Sequence, residues 1–378
     1  EVERHRSEIE TWLDTQGEKV SRPALAQAGL VAPHWPRPWG RDAGVLEQLA
    51  IEEVLRERRV RMPINPVGIG WAGPTLLHAG SVEQQERYLP GILDGSELWC
   101  QLFSEPDAGS DLARLRTRAV RDGDEWVVTG QKIWNGLAQW AKYGILLART
   151  DPGAPKHHGI TYFVCPMDAP GIEVRPIRAM TDDEEFNEVF FDGVRIPAGN
   201  VVGEVDHGWE LAKVTLANER VGLSEGRSPW SVGPTVDRLL ELARAEGVRD
   251  PVLRQRLARV YSESQILQVL KLRSVVDAIH RRQPGPESSV RKLATDQHGR
   301  DLFRLVRDLA GAEAMLWHAG PFGAPEAKDR WGHAFLFSPA LTIGGGTSEV
   351  QRSIIGERVL GLPREPDPAL DLPWSSLV

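Results

Sequence analysis

The amino-acid sequence predicts an α+β protein in three successive parts, because the spacing of its apolar residues changes twice along the chain. Helical spacing dominates the first hundred residues, period-two alternation follows, and helical spacing returns from His207 onward. The alternating part contains a turn at Asp122-Gly123-Asp124, which is typical of a β-hairpin. We therefore predict an N-terminal helical domain at residues 1–97, a middle β domain at 98–205 and a C-terminal helical bundle at 206–378.

The N-terminal helices are predicted from apolar residues that recur three or four positions apart. Ile9, Trp12 and Leu13 show this spacing. A second set shares it: Leu46, Leu49, Ala50, Ile51 and Val54. Glycine and proline interrupt the pattern at residues 70–80, and VEQQERYLPGILDGSE then resumes it as far as Gly95.

The middle domain is predicted from short β-rich segments that are separated by turn residues. TRAVRDGDEWVVTGQKIW indicates the hairpin. Four further segments have the composition of strands: YGILLART, GITYFVC, IEVRPI and EVFFDGVRIP. Together these segments predict a small β-sandwich or barrel.

The C-terminal domain is predicted from long segments that carry an apolar stripe at helical spacing. They are residues 209–225, VLRQRLARVYSESQILQVLKLRSVVDAI and SSVRKLATDQHGRDLFRLVRDLAG. Stripes of this length favour a helical bundle. The final PREPDPALDLPW is rich in proline, and we expect it to be loosely ordered.

The composition narrows the class of protein. A chain of 378 residues with 41% hydrophobic content can bury a large core, and a net charge of −8 disfavours a nucleic-acid partner. We expect no membrane association, because no apolar run reaches membrane-spanning length and the N-terminus is charged. Cys100 and Cys165 are expected to be small core residues in a cytoplasmic protein, and the histidines lack metal-ligand spacing.

The first candidate site is the turn Ser104-Glu105-Pro106-Asp107-Ala108-Gly109-Ser110-Asp111. Successive backbone N–H groups in a tight turn can form a concavity for anions, and Ser104 and Ser110 add hydroxyl donors. An ordinary Ser/Asp/Gly turn explains the same residues.

Two further segments are candidates for ligand binding. Trp134, followed by Asn135 and Gly136, can stack on a flat ligand or serve as a core residue. The glycine-rich Gly344–Gly346 leads into a helix that Thr347 or Ser348 can cap. Such a helix start is either an anion site or a plain capped helix.

Glu219 is the candidate base in VTLANERVGLSEG. On a helix it shares a face with Gly222, Leu223 and Gly226, so one carboxylate stands among small or apolar residues. Glycine inside a helix costs about 1 kcal/mol relative to alanine, which close approach of a ligand would explain. A solvated Glu-Arg pair with Arg220 on a surface helix is the alternative.

In their order and separations, the Ser104–Asp111 turn, GQKIWNG, Asn218-Glu219-Arg220 and GGGTSEVQR resemble the acyl-CoA dehydrogenase family of flavoproteins. The resemblance covers nearly the whole chain. It implies an N-terminal helical domain, a middle β domain, a C-terminal four-helix bundle and an FAD cofactor. It also implies cofactor-binding residues: Leu102, Phe103 and Ser104 along the isoalloxazine ring, Gly109 and Ser110 near the pyrophosphate, Trp134 over the ring, Asn135 and Gly136 near flavin N5 and O4, and Gly346, Thr347 and Glu349 at the later turn.

The chain departs from the family at the catalytic base. The family most often places a glutamate directly before a Gly-Thr pair, and this chain has Gly345 there. The other family location is a Glu-Arg pair in the first long helix after the β domain, which makes Glu219 the expected base. Ser110, Arg220, Gly222 and Gly345 are the expected substrate-binding residues. The space that Gly345, Gly222 and Gly226 leave beside the acyl chain favours a branched, cyclic or bulky acyl group.

The resemblance also implies partners. An acyl-CoA or acyl-carrier thioester is the expected substrate, and an electron-transfer flavoprotein the expected electron acceptor. A homodimer or homotetramer through the C-terminal helices is expected, with a heterotetramer as the alternative. The family's Arg-x-x-Phe-Gly turn is missing, which leaves Arg249 as a replacement contact to the phosphates of FAD.

Two other functions stay open at this stage. A non-catalytic or half-site subunit of a hetero-oligomer would explain both Gly345 and the missing Arg-x-x-Phe-Gly turn, whereas Glu219 argues against it. A flavin oxidase acting on another acidic-carbon substrate, such as a nitroalkane, would keep the cofactor residues and change the reaction.

Overall fold

The computed structural model describes residues 1–17, 19–224, 235–279, 285–311 and 327–377. The chain divides into two compact units. The first unit comprises Glu1–Ile177, Phe186–Asn218 and Asp367–Val378, and the second comprises Arg178–Glu185 and Glu219–Pro366. Among the described helices, none combines the length and apolar composition needed to span a bilayer.

The predicted N-terminal helices are confirmed. Five helices form this part of the first unit: α1 Val2–Thr15, α2 Arg22–Gln27, α3 Val45–Glu57, α4 Gly73–Ala79 and α5 Val82–Asp94. Ser81 and Gln84 cap the start of α5 reciprocally, and the left-handed Gly95 ends it. The fully buried Leu25, Ile51 and Leu89 lie in the core that these helices share.

The predicted strands are confirmed as one mixed sheet. Its strands are β1 Trp99–Leu102, β2 Arg118–Asp122, β3 Glu125–Ile133, β4 Tyr143–Arg149, β5 Ile160–Pro166, β6 Ile172–Ile177 and β7 Phe186–Pro197. The strand order is β1-β4-β2-β3-β7-β6, and β5 pairs with β4. Gly123 turns the β2–β3 hairpin with φ = 62°, and every residue of β4 is buried.

Helices return after the sheet, as predicted. They are α6 Gly208–Ser224, α7 Val236–Ala245, α8 Pro251–Ile279, α9 Ser288–Ala310, α10 Ala327–Leu341 and α11 Ser348–Ile354. The core of the second unit includes Leu239 of α7, Val260 of α8 and Leu305 of α9. The α8 helix also leaves an apolar stripe exposed, which consists of Ile266, Val269, Leu272 and Val276.

The loose order expected for the C-terminal tail is wrong for its last residues. The backbone N–H groups of Trp374 and Ser375 donate to the carbonyls of Ala154 and Pro152, at 2.8 and 3.0 Å. The Arg149 guanidinium also lies 5.0 Å from the centre of the Trp374 ring. The cation–π contact and the backbone bonds hold a segment that proline content alone marks as irregular.

Candidate functional site

Trp134 directly follows β3 and has a left-handed backbone, with φ = 64°. A bulky residue adopts this conformation rarely and at an energetic cost, so its surroundings must hold it there. Trp134 is 60% exposed, although its ring meets the Phe186 ring edge-on at a centroid distance of 6.2 Å. The indole therefore offers a large exposed face to a planar ligand.

Asn135 lies beside Trp134 and joins the ends of three strands. Its Nδ2 donates to the Gln101 carbonyl at 2.7 Å, and its backbone N–H donates to the Asn187 carbonyl at 3.1 Å. The residue is buried, and its Oδ1 accepts no hydrogen bond from the part of the chain that the structure describes. This amide keeps acceptor capacity for a donor on a ligand. Gly136 begins the turn that follows.

The structure brings the Ser104–Asp111 turn next to the segment that carries Trp134. The backbone N–H of Ile133 donates to the Ser104 carbonyl at 2.9 Å. Leu102 and Phe103 have buried side chains, so any cofactor contact from them must use their backbone. Gly109 and Ser110 are exposed on the far side of the turn.

A buried ion pair holds this turn, and the sequence reasoning missed it. Lys132 is fully buried, and its Nζ donates to Glu105 Oε1 at 2.8 Å and to the Phe103 carbonyl at 2.9 Å. Glu105 also accepts the backbone N–H groups of Arg116 at 2.6 Å and Thr117 at 2.9 Å. The alternation of β3 could have indicated this burial. Lys132 is an even number of residues from Trp126 and Val128, so it lies on the same buried face of the strand.

The surroundings of Glu105 and Lys132 favour an ionised carboxylate paired with a protonated ammonium. Burial opposes charge on the Glu105 carboxylate, but the Lys132 ammonium and the two backbone donors outweigh burial, and the pKa of Glu105 lies below its usual value. Burial lowers the pKa of Lys132, and Glu105 partly offsets this effect. The carboxylate therefore stays ionised at neutral pH.

The glycine-rich turn lies in the second unit and is also held by a buried lysine. Gly345 and Gly346 are left-handed, with φ of 65° and 91°. Lys292 of α9 donates through Nζ to the carbonyls of Gly346 at 2.8 Å and Leu341 at 3.2 Å. The buried Gln351 donates through Nε2 to the Gly345 carbonyl at 3.0 Å. These bonds fix a backbone that only glycine adopts without strain.

The helix start after this turn agrees with the predicted cap. Thr347 Oγ1 accepts the backbone N–H of Val350 at 3.2 Å and caps α11. Glu349 is exposed and pairs with Arg352 at 3.4 Å, a contact within one exposed helical turn. Arg249, the expected replacement for the missing phosphate contact, is exposed between α7 and α8.

Glu219 is buried, with 8% of its surface exposed, on helix α6. Four residues earlier on α6, Thr215 Oγ1 lies 2.8 Å from Thr75 Oγ1 and 3.0 Å from the Tyr162 hydroxyl. This buried hydroxyl cluster holds the part of α6 that precedes Glu219, which belongs to the first unit. Arg220 and Gly222 lie on α6 with side-chain surroundings outside the described part, and Gly226 lies outside the described residues altogether.

The described residues contain no group of three or more His, Cys, Asp or Glu side chains that could hold a metal ion. Cys100 and Cys165 are buried free thiols, as expected.

Three sequence models of protein families match successive parts of the chain. Their descriptions are "Acyl-CoA dehydrogenase, N-terminal domain" at residues 1–96, "Acyl-CoA dehydrogenase, middle domain" at 100–194 and "Acyl-CoA dehydrogenase, C-terminal domain" at 206–360. The chain belongs to the acyl-CoA dehydrogenase family. The predicted family and fold class are thereby confirmed.

Individual relatives agree with this assignment. The chain is 43% identical to acyl-CoA dehydrogenase FadE34 of Mycobacterium tuberculosis, over 92% of this chain and 47% of FadE34, so it spans about half of that relative's length. It is 41% identical to acyl-CoA dehydrogenase IpdE1 of Mycolicibacterium smegmatis, over 90% of this chain and 87% of IpdE1. The solved structure of the "Tcur3481-Tcur3483 steroid ACAD" aligns with a TM-score of 0.78 at 30% identity, over 96% of this chain and 98% of that one.

Residues near the first turn fit the FAD that the family implies. In the first unit, the exposed indole of Trp134 suits a planar ring, and the buried Asn135 Oδ1 is an acceptor without a hydrogen-bond partner among the described residues. In the second unit, a Cβ added to Gly346 would lie 2.6 Å from Gln351 Nε2, so packing within the turn itself already favours glycine there.

Proposed function

We propose that this chain catalyses the α,β-dehydrogenation of an acyl thioester, with Glu219 as the base that removes the α proton. The carrying observation is the burial of Glu219, because a carboxylate shielded from water is a stronger base than an exposed one. Its helix is also the second location at which the family places its base, and the first location holds Gly345. Bound FAD would take the hydride equivalent from the β carbon as the double bond forms.

Several residues of this chain would hold the cofactor under this proposal. Trp134 would cover the flavin ring, and Asn135 and the backbone of Ser104 would bond its polar edge. Gly346 and Thr347 would contact the cofactor from the glycine-rich turn, whose backbone Lys292 and Gln351 hold. The exposed Gly109, Ser110 and Glu349 are also proposed to contact FAD, because the resemblance to the family implies it.

We infer a bulky, cyclic acyl group as the substrate. Gly345 leaves room for an acyl group where the family most often has a glutamate, and Gly222 leaves room beside Glu219. The similarity to a steroid acyl-CoA dehydrogenase supports the same class of acyl group. A panel of acyl-CoA thioesters should therefore show faster flavin reduction by a polycyclic acyl group than by a straight chain of equal carbon number.

We further propose an electron-transfer flavoprotein as the electron acceptor and a cytoplasmic location.

We also propose a homodimer or homotetramer that is built through α8. Ile266, Val269 and Leu272 on α8 are each more than half exposed, and a contiguous apolar stripe of this kind favours an interface. Replacing Ile266 and Val269 with glutamate should convert the oligomer into a monomer, as measured by light scattering. The matched control is glutamate at the exposed Val82 of α5, which should leave the mass unchanged.

The central test replaces the base. Glu219→Gln should keep the fold and FAD but slow the bleaching of flavin absorbance by the acyl thioester by about two to four orders of magnitude, because a general base contributes that much to the rate. Glu210→Gln on the same helix is the control, since that carboxylate is exposed and pairs only with Lys213 among the described residues. Unchanged bleaching in Glu219→Gln would reject Glu219 as the base.

A half-site subunit of a hetero-oligomer is the second candidate function. Gly345 and the missing Arg-x-x-Phe-Gly turn favour it, and the similar Tcur3481-Tcur3483 structure is named for two proteins. The ratio of FAD to protomer separates the two candidates. One FAD per protomer supports the homo-oligomeric enzyme, and a ratio near one half, with a second homologous chain required for flavin reduction, supports the half-site subunit.

A further inference from the structure

The turn that carries Ser104 contains a buried, charged carboxylate, that of Glu105. Glu105 is 7% exposed, and its carboxylate accepts three bonds, from Lys132 Nζ and from the backbone N–H groups of Arg116 and Thr117. Burying a charged pair sacrifices the hydration of both charges, so apolar residues would serve stability equally well. A buried pair at this place therefore suggests a role in setting geometry.

Lys132 links the turn to the segment that carries Trp134. Its ammonium bonds both the Phe103 carbonyl and Glu105, the two residues that flank Ser104. One residue later, the Ile133 N–H bonds the Ser104 carbonyl at 2.9 Å. Two adjacent residues of β3 thus hold three consecutive residues, Phe103 and Ser104 through their backbone carbonyls and Glu105 through its carboxylate.

We propose that Lys132 and Glu105 are positioning residues for the flavin. By tying the Phe103 carbonyl and the Glu105 carboxylate, on either side of Ser104, to the strand that ends at Trp134, they hold the two groups that we assign to the flavin ring in one arrangement. Neither side chain touches the ligand, since both are buried beneath the turn. This inference rests on the proposed FAD site and adds the residues that preorganise it.

The test separates positioning from stability by removing the pair in two ways. Lys132→Met alone leaves Glu105 buried and unpaired, so it should lower the melting temperature and the FAD content together. The double variant Lys132→Met/Glu105→Gln carries no buried charge and should recover most of the melting temperature. If the pair positions the flavin, this purified double-variant holoenzyme should still release FAD at least about tenfold faster than wild type and show altered visible circular dichroism of the flavin.

A matched control removes a lysine–carboxylate pair at the surface of the same unit. Lys142→Met/Asp168→Asn replaces an exposed pair and should leave FAD release and flavin dichroism unchanged. Recovery of wild-type FAD release and dichroism in the Lys132→Met/Glu105→Gln variant would overturn the positioning role alone. Wild-type protein that takes up no FAD would instead overturn the proposed function and this role with it.

Discussion

The two candidate cofactor turns are each held by a buried lysine, but the lysines have different partners. In the first unit, Lys132 bonds Glu105, which belongs to the turn itself and accepts two backbone N–H groups. In the second unit, Lys292 pairs with Asp296 at 2.7 Å, one helical turn along α9 and outside the glycine-rich turn.

This difference decides which carboxylate keeps its charge. Backbone donors and Lys132 hold the pKa of Glu105 below its usual value despite burial. Asp296 accepts no backbone N–H among the described residues, and burial raises the pKa of its carboxyl to about 6 in spite of Lys292. Two lysine–carboxylate pairs of similar distance thus show opposite pKa shifts, because hydrogen bonds to the Glu105 carboxylate stabilise its ionised form, whereas burial of Asp296 destabilises its ionised form.

Replacing each lysine should give the largest difference in stability between the two turns. We expect Lys132→Met to lower the free energy of unfolding by about 3–5 kcal/mol, because Glu105 is left charged, buried and unpaired. Lys292→Met should cost less, about 1–3 kcal/mol, since Asp296 can take up a proton and the Gly346 carbonyl keeps a bond from Gln351 at 3.3 Å. Urea unfolding followed by far-UV circular dichroism measures both. Equal losses of unfolding free energy in the two variants would show that the backbone donors to Glu105 do not keep its carboxylate charged.

Glycine substitutions should show the second difference between the turns. Gly346→Ala should cost about 1–2 kcal/mol, because alanine is disfavoured at φ = 91° and its Cβ would meet Gln351. Gly109→Ala should be neutral or stabilising by less than about 1 kcal/mol, because nothing lies within 4 Å of its Cβ position. Thermal melting of the two variants tests this. A larger loss in Gly109→Ala would contradict the distinction.

The pH dependence of stability should have opposite signs in the two turns. Asp296 has a folded pKa of about 6, above its unfolded value, so its contribution to stability falls as pH rises from about 4 to 6 and is then constant. The slope is at most about 1.4 kcal/mol per pH unit for one proton. The contribution of Glu105, whose pKa is lowered, is instead present near neutral pH and lost as pH falls below its ordinary value near 4.5.

Asp296→Asn isolates the first of these effects. The difference in unfolding free energy, variant minus wild type, should rise between pH 4 and 6 and level off above. A difference that stays flat across this range would show that Asp296 has an ordinary pKa in the folded protein.

Most of the fold and the outer residues of the site follow from local sequence patterns. The hairpin at Gly123 and the cap at Thr347 were predicted where the structure has them, because each depends on residues fewer than five positions apart. The site roles of Glu219, Trp134 and Gly346 came from the family resemblance and stay predictions.

The α+β order of elements can be predicted from the amino-acid sequence alone, since periods of 2 and 3.6 residues are set by backbone geometry within each segment. Which lysines are buried, and which groups they bond, depends on the assembled fold. Lys132 meets Glu105 across 27 residues and Lys292 meets the Gly346 carbonyl across 54. In the sequence, Lys292 and Asp296 resemble an ordinary surface pair on a helix. Such contacts depend on how strands and helices assemble over long chain separations, and local periodicity carries no information about that.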